Sequence, residues 1–492
     1  MSRFRKSVYT VDAIRAIDRR AIDECGIDGY ELMQRAAAFS LQAIKTRFSE
    51  FNRLLIVCGS GNNAGDGYVL ARLARSDEWQ VKTLAVTDPT LLSGDAARAY
   101  IDWVSSADTD CLTNQMDAEE SAVVVDAIFG NGLNRPLEGK PLEAVKWINT
   151  LAAPVVSLDI PTGLNGDSGE ILGDAVRAEL TTTYVGLKAG LYLQEGPDHC
   201  GEVVLDDLQI SKQCFEQEAP LLRKTDPSTS RLPVRKKQAH KGSCGHVLIA
   251  GGAPGMLGAV LLAGKSALRA GAGKVTVATD RQHASMIALQ CPELMGRSVE
   301  SATDLTPLIE AADVVVLGPG LGASQWSRAL FYAVVRCAKT KVLDADALNI
   351  LAESPIRRDD WVLTPHPGEA ATLLSVSSGD IQRNRLQAHR DLVNRYGGVV
   401  VLKGAGTLSG GAGEQTSICG SGNPGMATAG MGDALTGIIA ALIAQGMTTG
   451  IAAETGVEIH AQAGDRAAES GEIGLMTSDL IDAIRSVIAK GR

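Results

Sequence analysis

Short apolar runs rich in β-branched side chains recur along the chain, and each ends on a polar or glycine turn. LLIVCGSG, AVVVDAIFG and PVVSLDIPTG occupy the first half; HVLIAGG, KVTVATD, DVVVLGPG, KVLDADA, WVLTPHPGE and VVVLKGAG occupy the second. Elsewhere apolar residues fall at helical spacing, as Leu435, Ile438, Ile439 and Leu442 do. Continuous apolar strands alternating with helices predict an α/β fold with parallel sheets covered on both faces. Such sheets bind ligands at the carboxyl ends of their strands, so the residues after each run are the ones to read for chemistry. The stretch QEAPLLRKTDPSTSRLPVRKKQAHKG, residues 217–242, breaks the pattern: it is rich in Pro, Ser, Thr and charge and has no sustained period. It predicts a linker and divides the chain into domains 1–223 and 224–492.

Composition narrows the classes. The 492 residues exceed one ordinary core, and a prior of ~150 residues per domain, with large α/β units, favours two. Fifty-three glycines against 4% aromatics suit close backbone packing and many turns, not stacking platforms for nucleic acid. A formal net charge of −10 argues against a polyanion partner, yet a local anion site made of backbone amides stays compatible with it. The nine cysteines (25, 58, 111, 200, 214, 244, 291, 337 and 419) are odd in number and form no CxxC pair. They suggest neither a disulfide scaffold nor a zinc site, and point to a reducing compartment. The N-terminal MSRFRKSVYTVDAIRAIDRRAIDE has no apolar stretch of signal-peptide length, and runs such as ALTGIIAALIAQG are broken by Gly and Gln. A cytoplasmic protein that makes no membrane contact is the expectation.

The C-terminal half carries GMATAGMGDALTGIIAAL, residues 425–442. Gly425, Gly430 and Gly432 allow a tight turn that opens an apolar helix, and Asp433 falls in its first turn. Unpaired amides at a helix N-terminus make an anion site. A carboxylate beside that anion suits phosphoryl transfer, with the amides holding the migrating group and the acid accepting a hydroxyl proton. Read alone, Asp433 serves equally well as a plain helix cap. Other strand ends place Gly318, Gly320 and Gly322 in VVLGPGLG, His366 and Glu369 in VLTPHPGEAATLL, and Lys403 before Gly404, Gly406 and Thr407 in VVVLKGAGT. A lysine with a glycine turn suits phosphate neutralisation. GAVLLAGKS, Gly258–Ser266, imitates a P-loop but has five residues between its glycines, and its apolar middle predicts a buried helix.

In the N-terminal half, GSGNNAGDG, residues 59–67, follows a strand and precedes YVLARLAR, a predicted helix. Gly59, Gly61 and Ala64 satisfy the loose dinucleotide fingerprint. Asn62, Asn63 and Asp66 crowd the same turn with hard oxygen donors, suited to a cation or to sugar hydroxyls, or to a simple Asx turn. VVVDAIFGNGLNRPLEG delivers Asp126 and a glycine loop, and VVSLDIPTGLNGDSG delivers Asp159 followed by Pro161, Thr162 and Gly163.

GSGNNAGDG, VDAIFGNGL and LDIPTGLNGDSG, in that order and spacing, resemble the NAD(P)H-hydrate epimerase domain over residues 10–215. The resemblance implies a Rossmann-like three-layer domain in which Asn63, Asp126 and Thr162 ligate potassium and Asp159 is the acid/base. It also implies that the hydrated dinucleotide is held by Asn62, Asn63, Ala64, Gly65 and Asp66, together with Gly130, Asn131, Gly132, Leu133, Asn134, Arg135 and Pro136. Ala64 stands where that family has Gly, and a positive φ there would cost an alanine on the order of a kcal/mol. From about residue 232 onward, HKGSCGHVLIAGG, GPGLG, TPHPGE, LKGAGT and GMGDALTGIIAALIAQG resemble a ribokinase-like α/β domain, more narrowly the NAD(P)H-hydrate dehydratase branch. This implies that Lys403, Gly404, Ala405, Gly406, Thr407 and Gly432 bind ADP or AMP, and that Ala259, Gly322, His366 and Asp433 contact the hydrate. The joint resemblance implies repair of hydrated NADH and NADPH: epimerisation of the R and S hydrates, then dehydration of the S hydrate as ADP becomes AMP and phosphate. Magnesium would accompany the ADP, and the chain would form a homo-oligomer, as the tetrameric dehydratase domains of the family do. The alternative is a small-molecule kinase with a non-catalytic nucleotide sensor as its N-terminal half.

Overall fold

A computed structural model describes residues 6–111, 122–225 and 232–490, so 226–231 of the predicted linker lie outside the described residues. The chain forms two compact units, 1–223 and 224–492.

The first unit is built on a seven-stranded parallel sheet in the order Asp110–Cys111, Gln80–Ala85, Arg53–Cys58, Val123–Ala127, Val155–Leu158, Leu180–Tyr184, Glu202–Asp206. Successive side chains point to opposite faces. Leu54, Ile56 and Cys58 therefore pack with the helices Gly29–Arg47, Asn62–Ser76 and Gly94–Val104. Leu55 and Val57 pack instead with Ala144, Val145 and Ile148 of the helix Gly139–Ile148. Both faces are covered, which is why the strand sequences are apolar throughout. Strand order reverses between Arg53–Cys58 and Val123–Ala127, so a crevice opens at their carboxyl ends. The apolar-run pattern misses Leu180–Tyr184, because this strand buries Thr181, Thr182 and Thr183 completely. Their hydroxyls are satisfied inside: Thr182 pairs with Ser40 at 2.8 Å, and Thr181 donates to the Cys200 carbonyl at 2.7 Å.

One boundary differs from the sequence reading. The helix expected from Tyr68 begins at Asn62, with Gly61 at φ +87° as its N-cap. Gly65 and Gly67 are thus helical glycines retained for close packing: a Cβ on Gly65 would stand 2.6 Å from Met33 Cε, and one on Gly67 2.7 Å from Ala127 Cβ. Ala64 lies in that first turn and is absent from the residues with positive φ, so the strain foreseen for it does not arise.

The second unit carries parallel strands in the order Met295–Ser298, Lys274–Thr279, His246–Ala250, Val314–Leu317, Thr340–Leu343, Trp361–Leu363, Val399–Leu402. Leu408–Gly411 then adds antiparallel to the last, and Ser417–Ile418 adds antiparallel to Leu408–Gly411. The helix Met431–Ala444 packs on the helix Leu257–Arg269, which contains the P-loop imitation Gly258–Ser266. Their crossing is tight enough that a Cβ on Gly437 would lie 2.1 Å from the Ala263 carbonyl oxygen. Strand order reverses between His246–Ala250 and Val314–Leu317.

Candidate active sites

In the first unit a cavity of about 470 Å³ opens at the crevice and is lined by Asn62, Asn63, Asp66, Gly130, Asn131, Gly132 and Asp159, among others. Ala64, Gly65 and Leu133–Pro136 do not line it: Ala64 and Gly65 are buried in the helix, and Asn134, Arg135 and Pro136 are exposed.

Asp159 is held by its backbone as well as its side chain. It adopts φ +67°, in the left-handed region that aspartate tolerates better than most residues. Its N–H donates to the Thr182 carbonyl at 2.7 Å, its Oδ2 accepts from the Asn131 amide at 2.9 Å, and its Oδ1 meets Lys188 Nζ at 2.5 Å. Gly130 permits that approach, since a Cβ there would stand 2.8 Å from Asp159 Oδ2. Lys188 is fully buried and also donates to Thr183 Oγ1 and the Tyr184 carbonyl, each at 2.9 Å. Two further acids face this ammonium. Burial pushes the Asp18 carboxyl up to about 7, with Lys188 drawing it down and Asp159 adding to the rise. Burial likewise holds Asp66 well above the carboxylate range, helped by Asp159 and Asp18.

Asp126, which does not line the cavity, is wholly buried. Its Oδ1 accepts from Thr162 Oγ1 at 2.7 Å and Ile128 N at 3.2 Å; its Oδ2 accepts from Thr162 N at 2.8 Å and Ser157 Oγ at 2.9 Å. Burial outweighs these bonds and leaves its carboxyl above the ordinary range. Both polar atoms of the buried Asn63 amide lack a partner, although a Cβ on Gly130 would lie 3.4 Å from its Oδ1.

In the second unit Asp433 lies in the first turn of the helix Met431–Ala444, whose N-cap Gly430 has φ +92°. That turn leaves its first amides without intrahelical acceptors. Lys403 Nζ reaches Asp344 Oδ1 at 2.7 Å and Glu369 Oε2 at 3.7 Å, and a Cβ on Gly432 would lie 3.1 Å from it. Asp344 Oδ2 also accepts from Thr436 Oγ1 at 2.9 Å. Burial works against the Asp344 charge, but Lys403 and the hydrogen bonds hold its carboxyl below the ordinary range. Asp433 goes the other way: burial pushes it up to about 7, the Asp344 carboxylate adds to the rise, and Lys403 offsets part of it. One acid of this cluster thus stays charged as the lysine's partner, while another is poised to gain and lose a proton near neutrality.

His366 is the N-cap of the helix Pro367–Leu374; its Nδ1 accepts from Gly368 N at 3.0 Å and Glu369 N at 3.3 Å, which places the ring proton on Nε2. The Gly322 amide donates to Asp346 Oδ2 at 2.7 Å. Ala259 stands on the helix Leu257–Arg269, 3.3 Å from where a Gly320 Cβ would be. Gly404 and Gly406 have φ +134° and +64°, and Thr407 Oγ1 donates to the Gly404 carbonyl at 2.8 Å. Lys188, Asp18, Asp344, Asp346 and Thr436 escape the sequence reading. Asp344 ends the strand run KVLDADA, a signal available to it; Asp18 shares one face of the helix Val11–Asp23 with Ile14 and Ile22. Lys188 follows a polar strand and gives no such signal.

A family model described as NAD(P)H-hydrate dehydratase matches residues 247–486, and one described as YjeF-related protein N-terminus matches residues 29–190. The chain is 44% identical over 488 residues to the bifunctional NAD(P)H-hydrate repair enzyme Nnr of Coxiella burnetii, covering 98% of this chain and 99% of that protein. It is 38% identical over 484 residues to the enzyme of the same name in Escherichia coli, covering 98% and 94%. Among solved structures, a ribokinase-like superfamily protein from Enterococcus faecalis superposes with a TM-score of 0.50 at 27% identity, over 53% of this chain and 92% of its own.

Proposed function

The chain belongs to the bifunctional NAD(P)H-hydrate repair enzymes, and from that premise we propose how its residues divide the work. The protein repairs hydrated NADH and NADPH, with an epimerase in its N-terminal half and an ADP-dependent dehydratase in its C-terminal half. This membership leaves the small-molecule kinase alternative without support, since that reading gives residues 29–190 no chemistry.

For epimerisation, Asp159 is the acid/base at the nicotinamide and Lys188 fixes its direction. Asn62, Asn63, Asp66 and Gly130–Gly132 hold the hydrate, with the remainder of the 62–66 and 130–136 segments shaping the loops around it. The donor set fits potassium: the Asn63 Oδ1 lacks a partner beside Gly130, and the Asp126 carboxylate and Thr162 hydroxyl are hard oxygen donors. A cation held by Asn63, Asp126 and Thr162 would supply the counter-charge that the buried Asp126 lacks and tie down the loop after Ala127.

For dehydration, Asp433 accepts the proton of the C6 hydroxyl as that oxygen attacks the terminal phosphorus of ADP. The P–O bond to AMP breaks, AMP leaves, and the hydrate carries a phosphate ester in place of a hydroxyl. The lone pair of the ring nitrogen then expels phosphate, and loss of the adjacent ring proton restores the dihydropyridine. Lys403–Thr407 and Gly432 bind the nucleotide, and Ala259, Gly322, His366 and Asp433 contact the hydrate. Magnesium enters with the nucleotide; among the described residues no group of three or more His, Cys, Asp or Glu side chains forms a metal site. The observation that carries this assignment is the Asp433 carboxyl, poised at about 7 in the first turn of a helix and close to the half-buried Lys403.

The test is recovery of dihydropyridine absorbance from a mixture of both hydrate epimers with ADP, magnesium and potassium. The parent recovers all of it, and Asp159→Ala recovers only the epimer that the dehydratase accepts. Full recovery by Asp159→Ala overturns the assignment of that residue. We further propose a cytoplasmic homo-oligomer, a tetramer by analogy with the family's dehydratase domains, which light scattering of the purified chain checks. Among the described residues no helix is long and apolar enough to cross a membrane.

A further inference from the structure

Arg385 is a buried charge to which the roles above give no task. It opens the helix Arg385–Tyr396 and is 4% exposed. Among the described residues no carboxylate answers it, and burial alone acts on its guanidinium. A buried unpaired cation is unfavourable unless fixed dipoles surround it. Three of those dipoles belong to one loop, Nη2 donating to the carbonyls of Leu402 and Lys403 at 3.2 Å each and of Gly406 at 3.3 Å; Nη1 donates to Gln382 Oε1 of the helix Ser378–Arg383 at 2.9 Å, and Nε has no partner among the described residues. Gly404 lies directly over it, since a Cβ there would stand 2.8 Å from Nη1. The Gly404 carbonyl is taken by the Thr407 hydroxyl. Four carbonyls of the turn are thereby satisfied from within. The amides of Gly404, Ala405 and Gly406 donate to no acceptor among the described residues, and Gly404 and Ala405 are exposed.

We propose that Arg385 is the positioning residue of the nucleotide loop: it turns the carbonyls of Leu402, Lys403 and Gly406 inward so that the intervening amides face a phosphate. Its charge, sealed behind the loop, finds its missing anion in that phosphate. This rests on the reading of Lys403–Thr407 as a nucleotide-binding loop. It explains why the loop needs glycine at 404, where a side chain would displace the guanidinium, and why an arginine is used: three carbonyls converging on one nitrogen with a fourth acceptor on the next suit a planar fork better than a point charge.

The experiment compares Arg385→Gln and Arg385→Lys in the full chain, varying ADP and hydrate separately, with a thermal melt of the same preparations reporting that the second unit is folded. Hydrogen exchange at residues 403–407 of the parent is measured with and without ADP. The expected result is slowed exchange with ADP and an ADP KM raised about tenfold or more in Arg385→Gln, as for the loss of one charge-assisted interaction. The hydrate KM and kcat at saturating ADP stay within about threefold, because the change is confined to the nucleotide loop. Arg385→Lys recovers part of the ADP affinity and decides the matter if Arg385→Gln does not fold. Slowed exchange with an unchanged ADP KM, or equal rises in both KM values, overturns the role of Arg385 and leaves the nucleotide loop standing. Exchange unaffected by ADP removes the nucleotide reading, and this proposal with it.

Discussion

Asp159 stands at the tip of the strand Val155–Leu158 and Asp433 follows the glycine turn at Gly430, each near a lysine, yet they are held by different means. Asp159 is fixed by a left-handed backbone and a direct ion pair with Lys188, 2.5 Å away. Asp433 sits on regular helix, and the lysine beside it pairs instead with a third residue, Asp344. The contrast shows two uses of one ingredient. Where the lysine touches the acid, it fixes the carboxylate's direction; where it is diverted to another carboxylate, burial leaves the acid poised near pH 7 to exchange its proton.

The largest expected effect separates the two sites outright. Asp433→Asn lowers kcat of dehydration by about 10²–10⁴ while epimerisation is unchanged, and Asp159→Asn does the reverse, as expected for loss of a general base. Equal losses in both activities from either variant would erase the distinction. Next is Lys188→Met, which leaves Asp159 without its partner; breaking a buried pair from one side costs about 3–5 kcal/mol, read as a lower urea midpoint for the first unit. The third concerns pH. The folded pKa of Asp433, about 7, lies above its unfolded value of 3.8, so the folded state binds the extra proton and stability falls as pH rises between those values. Asp433→Asn removes that loss and is more stable than the parent at pH 8 by ~1–2 kcal/mol, an effect absent at pH 4. Dehydratase rate in the parent rises through pH 7 as the carboxylate forms, dropping about tenfold per unit below it. The smallest effect concerns backbone alone: Asp159→Asn keeps the left-handed preference, so Asp159→Ala is less stable than Asp159→Asn by ~1 kcal/mol, read from urea midpoints of the two variants at one pH.

The central strands were legible because parallel sheets covered on both faces demand uninterrupted apolar runs. The threonine strand Leu180–Tyr184 was not, because its polar atoms are satisfied by hydroxyls and carbonyls that arrive from distant segments. The Asp433 turn could be read from a short stretch, since glycine turn, acid and apolar helix are contiguous. The start of the helix Asn62–Ser76 was misread because glycine reports equally on turns and on close packing, and only the neighbours Met33, Ala96 and Ala127 tell which. Charge partners are the least legible of all. Lys188 and Asp159 are 29 residues apart, and Lys403 and Asp344 are 59 apart, so no local pattern joins them. Arg385 has a still weaker signature, because its partners are backbone carbonyls whose side chains carry no mark of the contact.

The left-handed backbone at Asp159 has a consequence for how this site can change over generations. Asparagine and glycine fit its φ of +67° but lack the charge, whereas glutamate keeps the charge, is less at ease with that backbone, and carries the carboxylate one methylene further out. Each neighbouring substitution therefore gives up one of the two requirements. A lineage that loses this acid faces a narrow way back, and selection for restored epimerisation in Asp159→Asn populations should return true revertants far more often than second-site replacements.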